Sequence, residues 1–178
     1  MREFEQFESA LSNLLEVLAE NPRRGGLEKT PQRVVRALGE LLSGHGDGEE
    51  KLALFDVAAY DHWVEMHGIP FSSLCEHHLL PFVGKISLAY WPQNGRVIGL
   101  SKLVRMVEKF THRLQLQERM TVELAESIFQ KLKAKAVEVR VEGEHFCMSM
   151  RGVRRPGIRT ITHHRCGSAS YWPFDWQP

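Results

Sequence analysis

The sequence predicts an α+β fold: a four-stranded antiparallel sheet with two helices on one face, preceded by an N-terminal helical pair. Three observations predict it. Apolar residues near the N-terminus recur every three or four positions, the spacing of one helix face. Two later segments, 83–91 and 136–150, alternate apolar and polar residues with the period of a strand. Two more stretches of helical spacing lie between those segments, so strands flank a central helical pair.

The elements follow in order. Phe4, Phe7, Leu11, Leu14 and Leu18 make one face of a first helix, which Asn21-Pro22 and Gly25-Gly26 end. Thr30-Pro31 restarts a helix, with Thr30 as N-cap and Pro31 as the first helical residue. Val34, Val35, Leu38, Leu41 and Leu42 supply its apolar stripe. Residues 43–50, with three glycines, read as a loop. These boundaries give a helical region at 1–50, a sheet-bearing domain at 51–170 and a tail at 171–178.

Within the domain, 63–73 reads as a first strand. The second is 83–91, where Ile86, Leu88 and Tyr90 alternate with Lys85, Ser87 and Ala89. Asn94-Gly95 is a tight-turn pair. Leu103, Val107, Phe110 and Leu114 carry one helix, and Leu124, Ile128 and Leu132 the next. Val137, Val139 and Val141 face away from Glu138, Arg140 and Glu142 on a third strand, and Pro156-Gly157 turns the chain so that 159–165 pairs back as a fourth. Such a sheet has open edges and a second face too apolar to leave wet. Oligomerisation that closes several sheets into a barrel answers both.

Composition narrows the function. A chain of 178 residues suits about one domain. With 43% hydrophobic and 25% charged residues it is not a disordered chain. A net charge of +1 excludes a basic surface for nucleic acid as the main theme but leaves room for a local basic site. Three cysteines point to reduced thiols, and with nine histidines they raise the question of a metal. No signal segment stands out at Met1–Glu5, and no apolar run reaches the roughly 18 residues that span a bilayer. The expectation is a cytoplasmic protein without a membrane or nucleic-acid partner.

Three short segments carry chemistry. In Cys75-Glu76-His77-His78, Cys75 and His78 can reach one ion from a turn, and a thiolate with an imidazole suits zinc. The plain alternative is a polar loop with a buried thiol. In Glu144-His145-Phe146-Cys147, period two puts His145 and Cys147 on the face of Val139 and Val141, unless a bulge intervenes. Cys147 would complete a Cys, Cys, His set with a fourth position open for water, and His145 would stand ready for proton transfer. The alternative is a core strand in which Cys147 only packs. In Gly99–Arg105, Ser101 is a candidate N-cap with Lys102 and Arg105 in the first turn. Positive charge there opposes the helix dipole, and a bound phosphate would reverse the penalty. A solvated basic face, continued by Lys109 and Arg113, is the alternative. Gln117-Glu118-Arg119 adds a carboxylate able to accept two N–H groups, as on a guanine edge, or simply a favourable charge at a helix start.

Together the segments GLEKTPQRV (26–34), CEHHLLPF (75–82), VIGLSKLVR (97–105), LQLQERMT (114–121) and HFCMSMRGV (145–153) closely resemble the GTP cyclohydrolase I family, in the same order, over about residues 27–162. The resemblance implies the tunnelling fold (T-fold), whose unit is two strands, two helices and two strands. It also implies a toroidal homodecamer of two stacked pentameric rings, with active sites between subunits. Residue by residue it implies Cys75, His78 and Cys147 as zinc ligands, and His77 and His145 as active-site histidines. It implies Ser101, Lys102, Arg105 and Arg151 as residues that hold the triphosphate or act near it. Arg33 and Arg36 join the phosphate site, although the family often has Lys where Arg36 stands. Gln117 and Glu118 match the purine-binding pair.

The implied reaction is zinc-assisted hydrolysis of GTP at guanine C8, with His145 protonating N7 and C8 leaving as formate. An Amadori rearrangement, with Ser101 shuttling protons, and ring closure then give 7,8-dihydroneopterin triphosphate. Whether that product feeds tetrahydrofolate and one-carbon metabolism, biopterin or a deazapurine is left open. Two other readings are a T-fold paralogue acting on a related purine or pterin, such as a nitrile reductase, and a non-catalytic nucleotide-binding ring subunit. The CEHH segment argues against the first, and the intact His77, His145 and Glu118 against the second.

The chain departs from the family after Thr160-Ile161-Thr162, where His163-His164-Arg165-Cys166 and a tail with two prolines in the last six residues replace a terminal helix. The expectation is either a divergent exposed tail or a second metal or redox site at His163, His164 or Cys166.

Overall fold

A computed structural model describes residues 2–18, 20–21, 23–45, 53–57 and 60–174, with side chains from Glu5 onward. The side chain of the expected stripe residue Phe4, the break at Pro22, the loop end 46–50 and the last residues 175–178 lie outside the described set. The chain divides into two compact units, Met1–Ser43 and Gly44–Pro178.

The first unit holds α1 (Arg2–Val17) and α2 (Thr30–Leu41), which pack on each other. Pro31 sits at the start of α2, as expected, but Thr30 is not its cap. Lys29 takes the N-cap position, and the Thr30 hydroxyl donates back to the Gly26 carbonyl at 3.4 Å. The helical spacing of α1 is real, yet Phe7, Leu14 and Leu18 stay exposed. Amphipathic patterning reports a face that can be buried, not what covers it.

In the second unit, β1 (Leu54–Asp56) pairs with β4 (Arg96–Ile98) as a short antiparallel ribbon. The main sheet contains β2 (Val64–Cys75), β3 (Pro81–Trp91), β5 (Leu114–Gln115), β6 (Ala136–His145) and β7 (Thr160–Gly167), in the order β5-β2-β3-β6-β7. Its four long strands are antiparallel, and β5 adds a two-residue parallel contact at Leu74 and Cys75. Between β3 and β6 run α3 (Leu100–Thr111) and α4 (Gln117–Leu132). This is the strand–strand–helix–helix–strand–strand unit of the T-fold.

The core lies between helices and sheet. Ile86, Leu88 and Tyr90 on β3, and Val137, Val139 and Val141 on β6, are fully buried against Leu103, Val107, Leu124 and Ile128. Period two on the strands and period 3.6 on the helices place these residues on facing surfaces. The expectation of an apolar second face needs correction. That face carries Lys85 opposite Glu142 and Ser87 opposite Arg140 in the β3–β6 register. It is apolar at one end only, where Trp63, Ala89, Ala136 and Phe174 cluster with Trp91 and Trp172.

The tail is not simply exposed. Glu138 is completely buried on this second face and holds the tail with both oxygens. It accepts a hydrogen bond from Arg165 Nε at 2.8 Å and one from the Phe174 backbone N–H at 3.0 Å. Arg165 lies over the Trp172 ring, 5.0 Å from its centroid. Nor do the tail residues gather around an ion. His163 pairs with Arg140 and His164 with Val139, so strand alternation sends the two imidazoles to opposite faces. Cys166 packs against the helix-side core.

Candidate active site

Cys75 is the last residue of β2. A tight turn follows, closed by the His78 and Leu79 N–H groups donating to the Cys75 carbonyl and by the Cys75 N–H donating to the Leu80 carbonyl. Leu79 has a left-handed φ of 54°, which brings the chain around into β3. Cys75 is buried, while His77 and His78 are exposed.

The third thiol arrives differently from the expectation. β6 ends at His145, and residues 146–149 form a single helical turn, α5 (Phe146–Ser149). Cys147 is therefore not on the strand face of Val139 and Val141. Each helical residue rotates about 100° instead of 180°. The turn brings Cys147 to the β2–β3 connection, where the sulfur atoms of Cys75 and Cys147 and a ring nitrogen of His78 lie within 4.8 Å of one another. Among the described residues no other group of three or more His, Cys, Asp or Glu side chains meets in this way.

The donor set fits a metal ion. Ligands of a tetrahedral zinc, at about 2.0–2.3 Å from the metal, lie roughly 3.5–4 Å from each other, so a small closure suffices. The two thiols also face each other directly. Burial first, then the neighbouring Cys75, pushes the Cys147 thiol up, an arrangement that a cation between the sulfurs relieves.

His145 sits beside this group. Its ring stacks on Phe82 with 1° between the planes and 4.7 Å between centroids, because the two residues are direct partners in the β3–β6 register. Its Nε2 lies 2.9 Å from Oε1 of Gln117. Gln117 is fully buried at the start of α4, and its amide nitrogen donates to the carbonyls of Val141 and Thr160 and to the Thr162 hydroxyl. Carbonyls only accept, so the amide orientation is determined: Oε1 must face His145. His145 therefore donates from Nε2, and its Nδ1 carries the lone pair of the neutral ring. Burial lowers the pKa of His145, and the negative charge of Glu118 opposes this.

Glu118 is exposed on the first turn of α4, with its side chain not committed to the core. Arg151 follows α5 on the exposed loop, and its charge acts on Cys147. Ser101 does not cap α3. Gly99 is the N-cap, so Ser101 and Lys102 fall in the first turn and Arg105 in the second. That first turn holds no acidic residue, which keeps the helix start electropositive. Arg33 and Arg36 lie on α2, in the first unit. Sequence reasoning missed Phe82 and the internal role of Gln117, because both depend on strand register.

Comparison with known proteins decides the family. The model of the family "GTP cyclohydrolase I" matches residues 7–171. The chain belongs to the GTP cyclohydrolase I family. The GTP cyclohydrolase 1 of Carboxydothermus hydrogenoformans is 47% identical over 159 residues, covering 89% of this chain and 83% of that protein. The GTP cyclohydrolase 1 of Clostridium kluyveri is 48% identical over 158 residues, covering 88% and 85%. The solved apo structure of an archaeosine synthase QueF-Like protein superposes with a TM-score of 0.47 at 20% identity, over 60% of this chain and 95% of that one. Among the described residues, no helix is long and apolar enough to cross a membrane.

Proposed function

We propose that this chain is a zinc-dependent GTP cyclohydrolase that opens the guanine ring at C8, releases formate and forms 7,8-dihydroneopterin triphosphate. The observation that carries the reading is the convergence of Cys75, His78 and Cys147 beside an oriented His145. Those three side chains would hold a zinc ion, which when bound would supply a water activated near neutral pH.

The chain's own groups do the rest. Glu118 accepts the guanine N–H pair and places the base. His145 has Nε2 committed to Gln117, so Nδ1 is the atom that exchanges a proton with guanine N7. His77 lies next to the ligand His78, on the exposed side of the turn, and assists proton movement there. Lys102, Arg105 and Arg151 hold the triphosphate, and Ser101 shuttles protons during the ribose rearrangement. The triphosphate itself does not react; its binding is spent on positioning the base.

Assembly into a homodecamer, with sites between subunits and a cytoplasmic location, belongs to the same reading. Two features support assembly. Among the described residues, 64–73 of β2 pair on one side only, with β3, and β7 pairs only with β6. A groove of about 380 Å³ runs beside that β2 edge, lined by Ile69, Phe71, Val104 and Val107.

The test is formate release from GTP by purified, zinc-loaded protein, followed by oxidation of the product to a fluorescent pterin. Well-folded, zinc-loaded protein that binds GTP but releases no formate would instead be a nucleotide-binding ring subunit. Turnover that requires a nicotinamide reductant would identify a paralogue with different chemistry.

A further inference from the structure

The metal turn is closed by backbone bonds linking His78, Leu79 and Leu80 to Cys75, and the side chains of His77, His78 and Leu79 are exposed. A second restraint comes from outside the turn. Arg119, on the first turn of α4, places Nη2 at 2.5 Å from Oε2 of Glu76 and 3.1 Å from the carbonyl of Leu114. Its Nε donates to Oε1 of Gln115 at 3.1 Å. Gln115 is itself buried, and its amide nitrogen donates to the Phe110 carbonyl and to Glu123. The Glu76 backbone N–H donates to the Gln115 carbonyl at 3.1 Å, so Glu76 is held by main chain and side chain together.

We propose that Arg119 is a positioning residue that fixes the Cys75–His78 turn for zinc and holds it in register with Glu118, through one guanidinium shared by Glu76, Leu114 and Gln115. The inference rests on the zinc reading of the site. Exposed ion pairs contribute little to stability as a rule, so the role of this one lies in geometry. Glu76 is flanked by the ligand Cys75, and Arg119 directly follows the candidate guanine-binding Glu118. The planar fork of Arg119 therefore sets the distance between the place where the metal sits and the place where the base sits. A lysine would not reproduce it, because a single ammonium lacks the separate Nε and Nη2 donors that reach these three acceptors. Partners that orient metal ligands from behind typically change metal affinity or activity about 10- to 100-fold when removed.

The experiment measures zinc dissociation constants by competition with a chromophoric chelator, on the full chain and without GTP. It uses wild type, Arg119→Ala, Arg119→Lys, Glu76→Gln and the Glu76→Gln/Arg119→Ala double variant, with Cys147→Ala as the zinc-free limit. Each single removal is expected to weaken zinc about tenfold. The double variant is expected to be no weaker than either single one, since the two residues act through one contact. Arg119→Lys should recover only part of the loss. Steady-state kinetics should show both a raised KM for GTP and a lowered kcat in Arg119→Ala.

Unchanged zinc affinity in both single variants, or fully additive losses, overturns the proposal. So does a lower melting temperature of apo Arg119→Ala with wild-type zinc affinity, which is a structural role alone. Should Arg119→Ala not fold, Glu76→Gln keeps the side-chain shape, removes only the charge and decides the question. Wild type that fails to bind zinc overturns the metal reading itself; wild type that binds zinc with variants that match it overturns the clamp alone.

Discussion

The ring of His145 is clamped between two residues from different elements: Phe82 stacks on its face at 4.7 Å, and Gln117 accepts from its Nε2 at 2.9 Å. The Gln117 contact has the larger consequence. It selects the tautomer and leaves Nδ1 for the substrate. Gln117→Ala is expected to lower kcat about 10- to 100-fold with zinc retained, the scale of a misplaced catalytic group. It should also cost about 1–3 kcal/mol of stability, because the carbonyls of Val141 and Thr160 lose a buried donor. Formate-release kinetics beside urea denaturation check both parts. A normal kcat would show that His145 needs no such partner.

The same contact is exposed to a change that removes no polar atom. A Cβ built on Gly143 would lie 2.6 Å from Oε1 of Gln117, closer than real side chains approach. Gly143→Ala should therefore push the Gln117 carbonyl off His145. Expected is a fall in kcat of about tenfold or more with bound zinc unchanged. Metal analysis and turnover on one preparation test it, and an active Gly143→Ala enzyme would mean that Gln117 relaxes without disturbing the ring.

Cys147 and His145, two residues apart, should separate cleanly. Cys147→Ala loses zinc and activity together, because two ligands hold zinc poorly. His145→Ala keeps zinc and loses activity. Metal content by elemental analysis, compared with formate release, distinguishes them. Loss of zinc from His145→Ala would reassign that residue to the metal.

His163 gives the fold a pH dependence of known sign. Both its ring nitrogens are buried without a hydrogen-bond partner. Burial, then the charge of Arg140, lowers its pKa; Glu138 opposes and Arg165 adds to the lowering. The native state thus binds a proton less readily than the unfolded chain, whose histidines titrate near about 6.5. The stability it contributes is present above that pH and is lost as the pH falls through it. Between pH 7.5 and 5.5 the urea midpoint of His163→Phe should fall less than that of wild type. Equal slopes would assign the acid sensitivity to other groups.

Much of the fold was legible along the chain. The alternation of Val137, Val139 and Val141 with Glu138, Arg140 and Glu142 marks β6 and the buried side of it. The apolar spacing of α3 and α4 marks the helices that cover it. Legibility failed where a local preference competes with a neighbour. Thr30 and Ser101 are good caps in isolation, yet α2 is capped one residue earlier, at Lys29, and α3 two residues earlier, at Gly99. The alternation was carried past His145, where the backbone turns helical and re-aims Cys147. The second face is more polar than expected, because Lys85, Ser87, Arg140 and Glu142 lie on it. Glu138 on the same face does not face solvent but is buried under Arg165 and the Phe174 backbone.

The site shows the same division. Cys75 and His78 are neighbours in sequence, so their spacing alone makes them candidate ligands of one ion. Side-chain period and residue chemistry are short-range properties, and they were enough to delimit strands, helices and the CEHH turn. The meeting of Cys147 with Cys75, the tautomer that Gln117 imposes on His145, and the hold of Arg119 on Glu76 come from the β3–β6 register and the β2–β5 contact. Those are long-range pairings. A one-residue slip would send every side chain of the strand to the opposite face, and only the packed sheet determines which pairing is made.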